Sequence, residues 1–109
     1  MAHDKYAPCI KACYDCAAAC DHCATACLAE QDVGMMARCI ALDMDCAQMC
    51  RLAAAAMARD SELAKRICAL CAEICTACAD ECARHTHGHC QECARLCRYC
   101  AEECRKMAA

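Results

Sequence analysis

The sequence has few of the residues that normally build a protein core. Its 109 residues include no tryptophan and no phenylalanine, and leucine, isoleucine and valine together number only eleven. A chain this poor in large apolar side chains is often disordered. The small net charge of −3 and the abundance of alanine and cysteine argue against disorder, because alanine favours helices and free cysteine is readily buried. Proline occurs once and glycine twice, so little interrupts a helix.

Two classes of partner are disfavoured by the distribution of charge and hydropathy. Twelve basic and fifteen acidic residues leave no basic patch for nucleic acid. No apolar run approaches the about 20 residues that span a membrane. The amino-terminal residues also lack the charged-then-apolar pattern of a secretory signal. We therefore expect a cytoplasmic protein, in a compartment where thiols are kept reduced.

Cysteine is the residue that the sequence has in excess. Nineteen cysteines recur mostly at alternating intervals of three and four, which places them on one face of an α-helix. The motif Cys-Ala-x-x-Cys occurs seven times, and each such pair stacks two thiols one helical turn apart. The predicted thiol ligands are Cys9, Cys13, Cys16, Cys20, Cys23, Cys27, Cys39, Cys46, Cys50, Cys68, Cys71, Cys75, Cys78, Cys82, Cys90, Cys93, Cys97, Cys100 and Cys104.

Turn-forming residues divide the chain into four predicted helices within a single domain, residues 1–109. The predicted helices cover about 6–29, 35–58, 61–84 and 88–107. Pro8 is expected in the first turn of its helix, Asp32 as the N-cap of the second helix, and Asp60 or Ser61 as the N-cap of the third. Short connections favour antiparallel neighbours, so we predict an all-α, up-down-up-down four-helix bundle with a cysteine-lined core.

Thiols buried at this density indicate a site for soft metal ions. Simple packing would use leucine, and cysteines three or four apart on one helix rarely have disulfide geometry. Cu(I) is favoured because one monovalent ion per thiolate neutralises the buried charge, whereas Zn(II) shared among several thiolates leaves net negative charge inside the bundle. Filled thiolate sites leave no position for a substrate, so we expect no enzyme activity.

Two other functions compete with copper binding. A zinc or heavy-metal buffer of the metallothionein type also uses thiolates, and the spacing alone does not exclude it. A thiol redox protein or an iron–sulfur carrier is less favoured, because no cysteine stands apart from the others and the ferredoxin pattern ending in Cys-Pro is missing.

In this topology the first and third connections lie at the same end of the bundle. We call this end the mouth (residues 30–36 and 85–89). Imidazole and thioether bind Cu(I) more weakly than thiolate does, which suits a site that passes the ion inward. The predicted mouth ligands are Met36, His85, His87 and His89. Met35 lies beside them, but Met36 shares the cysteine face and is the better candidate.

Asp43 occupies a position where the pattern calls for a thiol. A lone carboxylate facing a core is costly, so we expect it one turn in from the mouth, as a copper ligand or a hydrogen-bond acceptor. His22 points away from the thiols and is expected at the surface, while Met57 and Met107 are expected to pack at the opposite end. Acidic residues expected on solvated or subunit-facing sides are Glu73, Asp80, Glu81, Glu102 and Glu103.

Four cysteine-striped helices and the turn His-Thr-His-Gly-His-Cys at residues 85–90 give the chain a family resemblance. Over essentially its whole length the sequence resembles the cytosolic copper storage proteins. The resemblance implies a bundle filled with many Cu(I) ions, bound mainly by cysteine pairs and kept from reacting. It also implies assembly as a homotetramer, and a copper chaperone is a further expected partner.

Overall fold

Four α-helices account for most of the chain. The computed structural model describes the backbone of residues 2–109 and the side chains of residues 4–109. The helices are α1 (Ala2–Leu28), α2 (Ala37–Ala58), α3 (Ala64–Ala83) and α4 (Gly88–Ala108), and a 3-10 helix (Val33–Met36) precedes α2. None of the described helices combines the length and the hydropathy needed to cross a membrane.

The helices pack side by side in the order in which the chain makes them. Helix α1 contacts α2 and α4, and α3 contacts the same two helices. The molecule is 47 Å long and 18 to 19 Å across. These contacts confirm the predicted four-helix bundle, with an axis along which the cysteine faces of all four helices meet.

Small side chains make this core possible. Every cysteine is buried as a free thiol, and alanines such as Ala47, Ala53 and Ala79 fill the space between the helices. Larger apolar side chains, among them Ile40 and Ile74, lie at the flanks and are only partly buried. The core therefore consists mainly of sulfur and methyl groups, which explains how the chain folds without phenylalanine or tryptophan.

The start of α1 differs from the prediction. The helix begins at Ala2, so Pro8 lies inside it and not in its first turn. Pro8 is exposed, and its ring therefore faces solvent, while Tyr6, Cys9 and Ile10 around it are buried. We attribute the continuity of the helix to this burial on the other face, which offsets the main-chain hydrogen bond that proline cannot donate.

Neither predicted N-cap operates as expected. Asp32 precedes the 3-10 helix and makes no capping hydrogen bond, because its carboxylate faces the His87 ring instead, at 3.2 Å from Nε2. Helix α3 begins only at Ala64 and has no side-chain cap. Ser61 accepts a hydrogen bond from the Leu63 amide at 3.1 Å within the preceding turn, and Asp60 adopts a left-handed backbone, with φ of 53°.

Candidate metal centre

The buried thiols form one column along the bundle axis, here called the thiol column (the nineteen cysteines). Its sulfurs approach each other between helices as closely as within them. Cys16 Sγ lies 3.5 Å from Cys97 Sγ, between α1 and α4, and Cys39 Sγ lies 3.4 Å from Cys82 Sγ, between α2 and α3. Within a helix, the i, i+4 sulfurs of Cys71 and Cys75 are 3.8 Å apart.

The column contains sets of four thiols whose sulfur atoms all lie within 4.8 Å of one another. Such sets include Cys13, Cys71, Cys100 and Cys104; Cys16, Cys46, Cys50 and Cys75; Cys16, Cys20, Cys46 and Cys97; Cys20, Cys78, Cys93 and Cys97; and Cys23, Cys27, Cys39 and Cys90. Each set draws on at least two helices. Separations of this size allow two or more sulfurs to contact one soft metal ion.

Neighbouring sets share members, so the column is continuous in its middle. Cys16 and Cys46 belong to two of these sets, and so do Cys20 and Cys97. A thiolate that belongs to two sets can bridge two metal ions. The arrangement therefore suits a chain of metal ions linked by sulfur better than a row of isolated four-thiol sites.

Asp43 is the oxygen donor within the column and is completely buried. Its Oδ1 atom lies 3.2 Å from Cys78 Sγ and 3.4 Å from both Cys82 Sγ and Cys93 Sγ. Its Oδ2 atom lies 3.9 Å from Cys39 Sγ. Asp43 thus lies between the middle of the column and the cysteines near the mouth, as the sequence predicted.

Burial raises the pKa of several acidic groups of the thiol column. Desolvation, together with the negative charge of Cys93 and Cys78, raises the pKa of the Asp43 carboxyl to about 10. Desolvation also raises the pKa of Cys27 to about 11 and shifts that of Cys90 upward. A metal ion that binds to Asp43, Cys27 or Cys90 must therefore displace a proton, so binding and proton release are coupled at these groups.

The two turns of the mouth are joined by contacts between histidine and carboxylate. His87 Nδ1 lies 2.7 Å from Glu30 Oε2, and His87 Nε2 lies 3.2 Å from Asp32 Oδ1. His89 Nε2 lies 3.0 Å from the same oxygen of Glu30. The first and third connections therefore meet at one end, as the topology predicted.

The three mouth histidines occupy different environments. His89 is largely buried, and its Nδ1 atom lies 3.4 Å from Cys23 Sγ and 3.6 Å from Cys90 Sγ. His85 is equally buried, with its Nε2 atom 2.8 Å from Glu81 Oε2. Both ring nitrogens of His87 face carboxylates. His89 is thus the histidine whose ring nitrogen lies within 4 Å of several thiols.

The methionines at the two ends of the bundle and His22 differ in how deeply they are buried. Met36 is fully buried, whereas Met35 is exposed. His22 is exposed, as expected from its position on the helix. At the end opposite the mouth, Met57 is fully buried and Met107 packs partly against the core. We call this end the foot (Tyr6, Ile10, Met57 and Met107).

Two acidic residues predicted on solvated or subunit-facing sides are buried within the chain itself. Glu81 lies under Arg38, whose Nη1 atom donates to it at 2.8 Å, and beside His85. The hydrogen bond from His85 is the main cause that holds the pKa of Glu81 below its usual value. Glu103 is covered through its 2.7 Å contact with Lys106. The prediction was wrong for both because their partners come from other turns or helices and neutralise the buried charge; Glu73, Asp80 and Glu102 are exposed.

A bundle whose axis is a continuous column of thiols belongs to the class of proteins that hold soft metal ions. The sequence profile of the family described as copper storage protein matches residues 2–109. This chain therefore belongs to the copper storage protein family.

Individual relatives agree with this assignment. An uncharacterized cysteine-rich protein of Bacillus subtilis (strain 168), YhjQ, is 55% identical over 101 residues, which is 93% of this chain and 94% of the relative. The Cu(I)-bound copper storage protein BsCsp3 is 51% identical, with a TM-score of 0.92 and full coverage of both chains. A cytosolic copper storage protein from Streptomyces lividans, in a structure of copper loading with five coppers, is 41% identical with a TM-score of 0.93, covering 98% of this chain and 94% of its own.

Proposed function

We propose that this chain stores Cu(I) in the cytoplasm by holding many ions on the cysteines of the thiol column. The observation that carries the proposal is the sharing of sulfurs between neighbouring four-thiol sets. Bridging thiolates let monovalent ions follow one another along the axis, and one positive charge per thiolate cancels the charge that burial makes costly. The Cu(I)-bound and copper-loading structures of relatives support the same reading.

All nineteen cysteines are ligands in this proposal, together with one oxygen donor and the groups of the mouth. Asp43 contributes its carboxylate once its proton is displaced. Met36 and the mouth histidines His85, His87 and His89 receive the ion before the thiols do, because their donor atoms bind Cu(I) more weakly. The role is containment and not catalysis, since every thiol is fully enclosed by the bundle.

Anaerobic titration of the reduced apo protein with Cu(I), against a strong competing chelator, tests the proposal. We expect saturation near about one ion per cysteine, the ratio at which the thiolate charge is neutralised. Saturation after only a few ions would mean that most thiols serve packing, and storage would then be rejected.

Zinc is the main competitor because the four-thiol sets also satisfy its preference for tetrahedral sulfur. The same titration is therefore repeated in excess Zn(II). If Cu(I) saturation is undisturbed, storage of copper is supported. If zinc displaces the bound copper, the column is a zinc or heavy-metal buffer instead.

We infer further that residues 1–109 act as one domain and that copies of it assemble, as a homotetramer. Met44 and Leu52 on α2 and Leu70 on α3 are exposed apolar side chains, and we expect residues of this kind to form the contact between copies. Sedimentation analysis of Leu52→Glu, with Leu28→Glu at the mouth end of α1 as control, tests this assembly. Only Leu52→Glu should dissociate.

A copper chaperone would then deliver ions at the mouth.

A further inference from the structure

We propose that Glu30 is a positioning residue for copper uptake, which fixes the tautomer and the orientation of His89 so that Nδ1 faces the thiols with its lone pair available. The inference rests on the proposed function, because it gives a task to a residue outside the proposed ligand set. It depends on contacts on both sides of one imidazole ring.

On the outer side, the ring of His89 meets a group that can only accept a hydrogen bond. Glu30 Oε2 lies 3.0 Å from His89 Nε2, and an ionised carboxylate has no proton to donate. The proton of the neutral ring is therefore held on Nε2. Nδ1 keeps its lone pair, which is the form that a metal ion requires.

On the inner side, Nδ1 faces buried sulfur. It lies 3.4 Å from Cys23 Sγ, 3.6 Å from Cys90 Sγ and 3.9 Å from Cys27 Sγ. With Cys39, these cysteines form a four-thiol set on the mouth side of the column. The ring thus spans the distance between a partly exposed carboxylate and fully enclosed thiols. A carboxylate behind a metal-binding histidine is a common arrangement, and its loss typically lowers metal affinity 10- to 100-fold.

The second carboxylate of the same turn does not share this task. Asp32 contacts His87, at 3.2 Å from Nε2, while His87 Nδ1 lies 2.7 Å from Glu30. The rings of His87 and His89 are parallel, within 2°, with centroids 5.5 Å apart. Glu30 therefore holds both rings, whereas Asp32 holds only the outer one. This difference makes Asp32 a matched control within the same turn.

The test compares Glu30→Leu, Glu30→Gln and Asp32→Leu in the full chain. Two quantities are measured: the rate at which the apo protein takes up Cu(I) from a chelator, and the ¹⁵N chemical shifts of the His89 ring without metal. We expect Glu30→Leu to slow uptake about 10-fold, the lower bound for a lost carboxylate partner, and to mix the two His89 tautomers. Glu30→Gln, which keeps an accepting oxygen, should restore part of the uptake rate and of the single tautomer. Asp32→Leu, whose carboxylate contacts only His87, should leave the His89 tautomer unchanged.

A double-variant comparison separates positioning from a general effect on the turn. In a His89→Ala background, Glu30→Leu should cause clearly less slowing than in the wild type, because of the two rings that Glu30 holds only His87 remains. An unchanged His89 tautomer in Glu30→Leu, or the same mixing of His89 tautomers in Asp32→Leu, would overturn the proposal. A wild-type chain that binds no copper would instead overturn the proposed function, since the tautomer measurement uses metal-free protein.

Discussion

The two ends of the thiol column differ in chemistry although the same four helices build both. At the mouth, imidazoles and carboxylates such as Glu30 and His89 are partly exposed and contact one another. At the foot, Tyr6, Ile10 and Met57 are buried and bring mainly apolar atoms. Polar groups that exchange ligands readily suit the passage of ions, and apolar packing suits closure. If the column stores copper as proposed, this difference favours the mouth as the end at which ions pass.

Helix α2 shows how the sequence produces this asymmetry. Its inward face carries Cys39, Asp43, Cys46 and Cys50, but then continues with Ala53 toward the foot. The thiols of the foot therefore come from the other three helices. Asp43 stands at the opposite boundary, between the middle of the column and the thiols nearest the mouth.

The largest expected effect is the gain in thermal stability when copper binds, and its location shows whether the thiols of the foot bind copper as well. One ion bound at a free concentration a thousand times its Kd adds about 4 kcal/mol to the stability of the fold. For a chain of this size, even one such ion raises the Tm by more than about 15 °C. We expect scanning calorimetry to show at least this difference between loaded and apo protein.

Amide hydrogen exchange then shows which parts of the bundle copper binding stabilises. Because thiols line both ends, copper loading should protect the amides of α3 around Cys68 at the foot as well as those around Cys82 at the mouth side. Protection confined to the mouth side would show that the foot thiols are packing, and equal Tm values for both forms would contradict metal-linked folding altogether.

Replacing Asp43 by asparagine tests whether this carboxyl, at the boundary between the two regions, is held protonated in the apo protein. The pKa of Asp43 is raised to about 10 in the fold, against about 3.9 for an unfolded chain. Between these values the folded apo protein binds a proton that the unfolded chain has lost, so its stability falls as pH rises. Asp43→Asn removes this cost, and we expect its apo form to be more stable at neutral pH by at least about 1 kcal/mol, or about 4 °C in Tm.

The matched control for this variant is Asp45→Asn, an exposed residue on the same helix. Urea unfolding of both variants and the wild type across pH isolates the Asp43 contribution from that of the thiols. The wild type and Asp45→Asn should lose stability between pH about 4 and about 10 more steeply than Asp43→Asn does. Parallel curves for all three proteins would show that Asp43 is not held protonated.

The sequence predicted the features that depend on helical periodicity and missed those that depend on remote partners. The spacing of three and four placed all nineteen thiols and Asp43 on inward faces, because one face of a straight helix repeats at that interval. Met36 is also buried, although it ends the 3-10 helix instead of lying in α2. The burial of Glu81 was missed because Arg38 belongs to another helix. Likewise, Glu30 carried no signal of its own, since its contact with His89 arises only when the two turns meet.

The smallest expected effect is a change in the rate of Cu(I) uptake when each of two buried methionines is replaced by leucine. Met36 and Met57 are both fully enclosed, one near the mouth and one at the foot. Methionine to leucine conserves volume and typically costs less than about 1.5 kcal/mol, so neither Met36→Leu nor Met57→Leu should unfold the bundle. Only the first removes a thioether from the proposed path of the ion, and for this variant we expect a few-fold slower uptake of Cu(I) in stopped-flow experiments. Equal rates in the two variants would mean that Met36 only packs, and that passage through the mouth depends on imidazole and carboxylate groups alone.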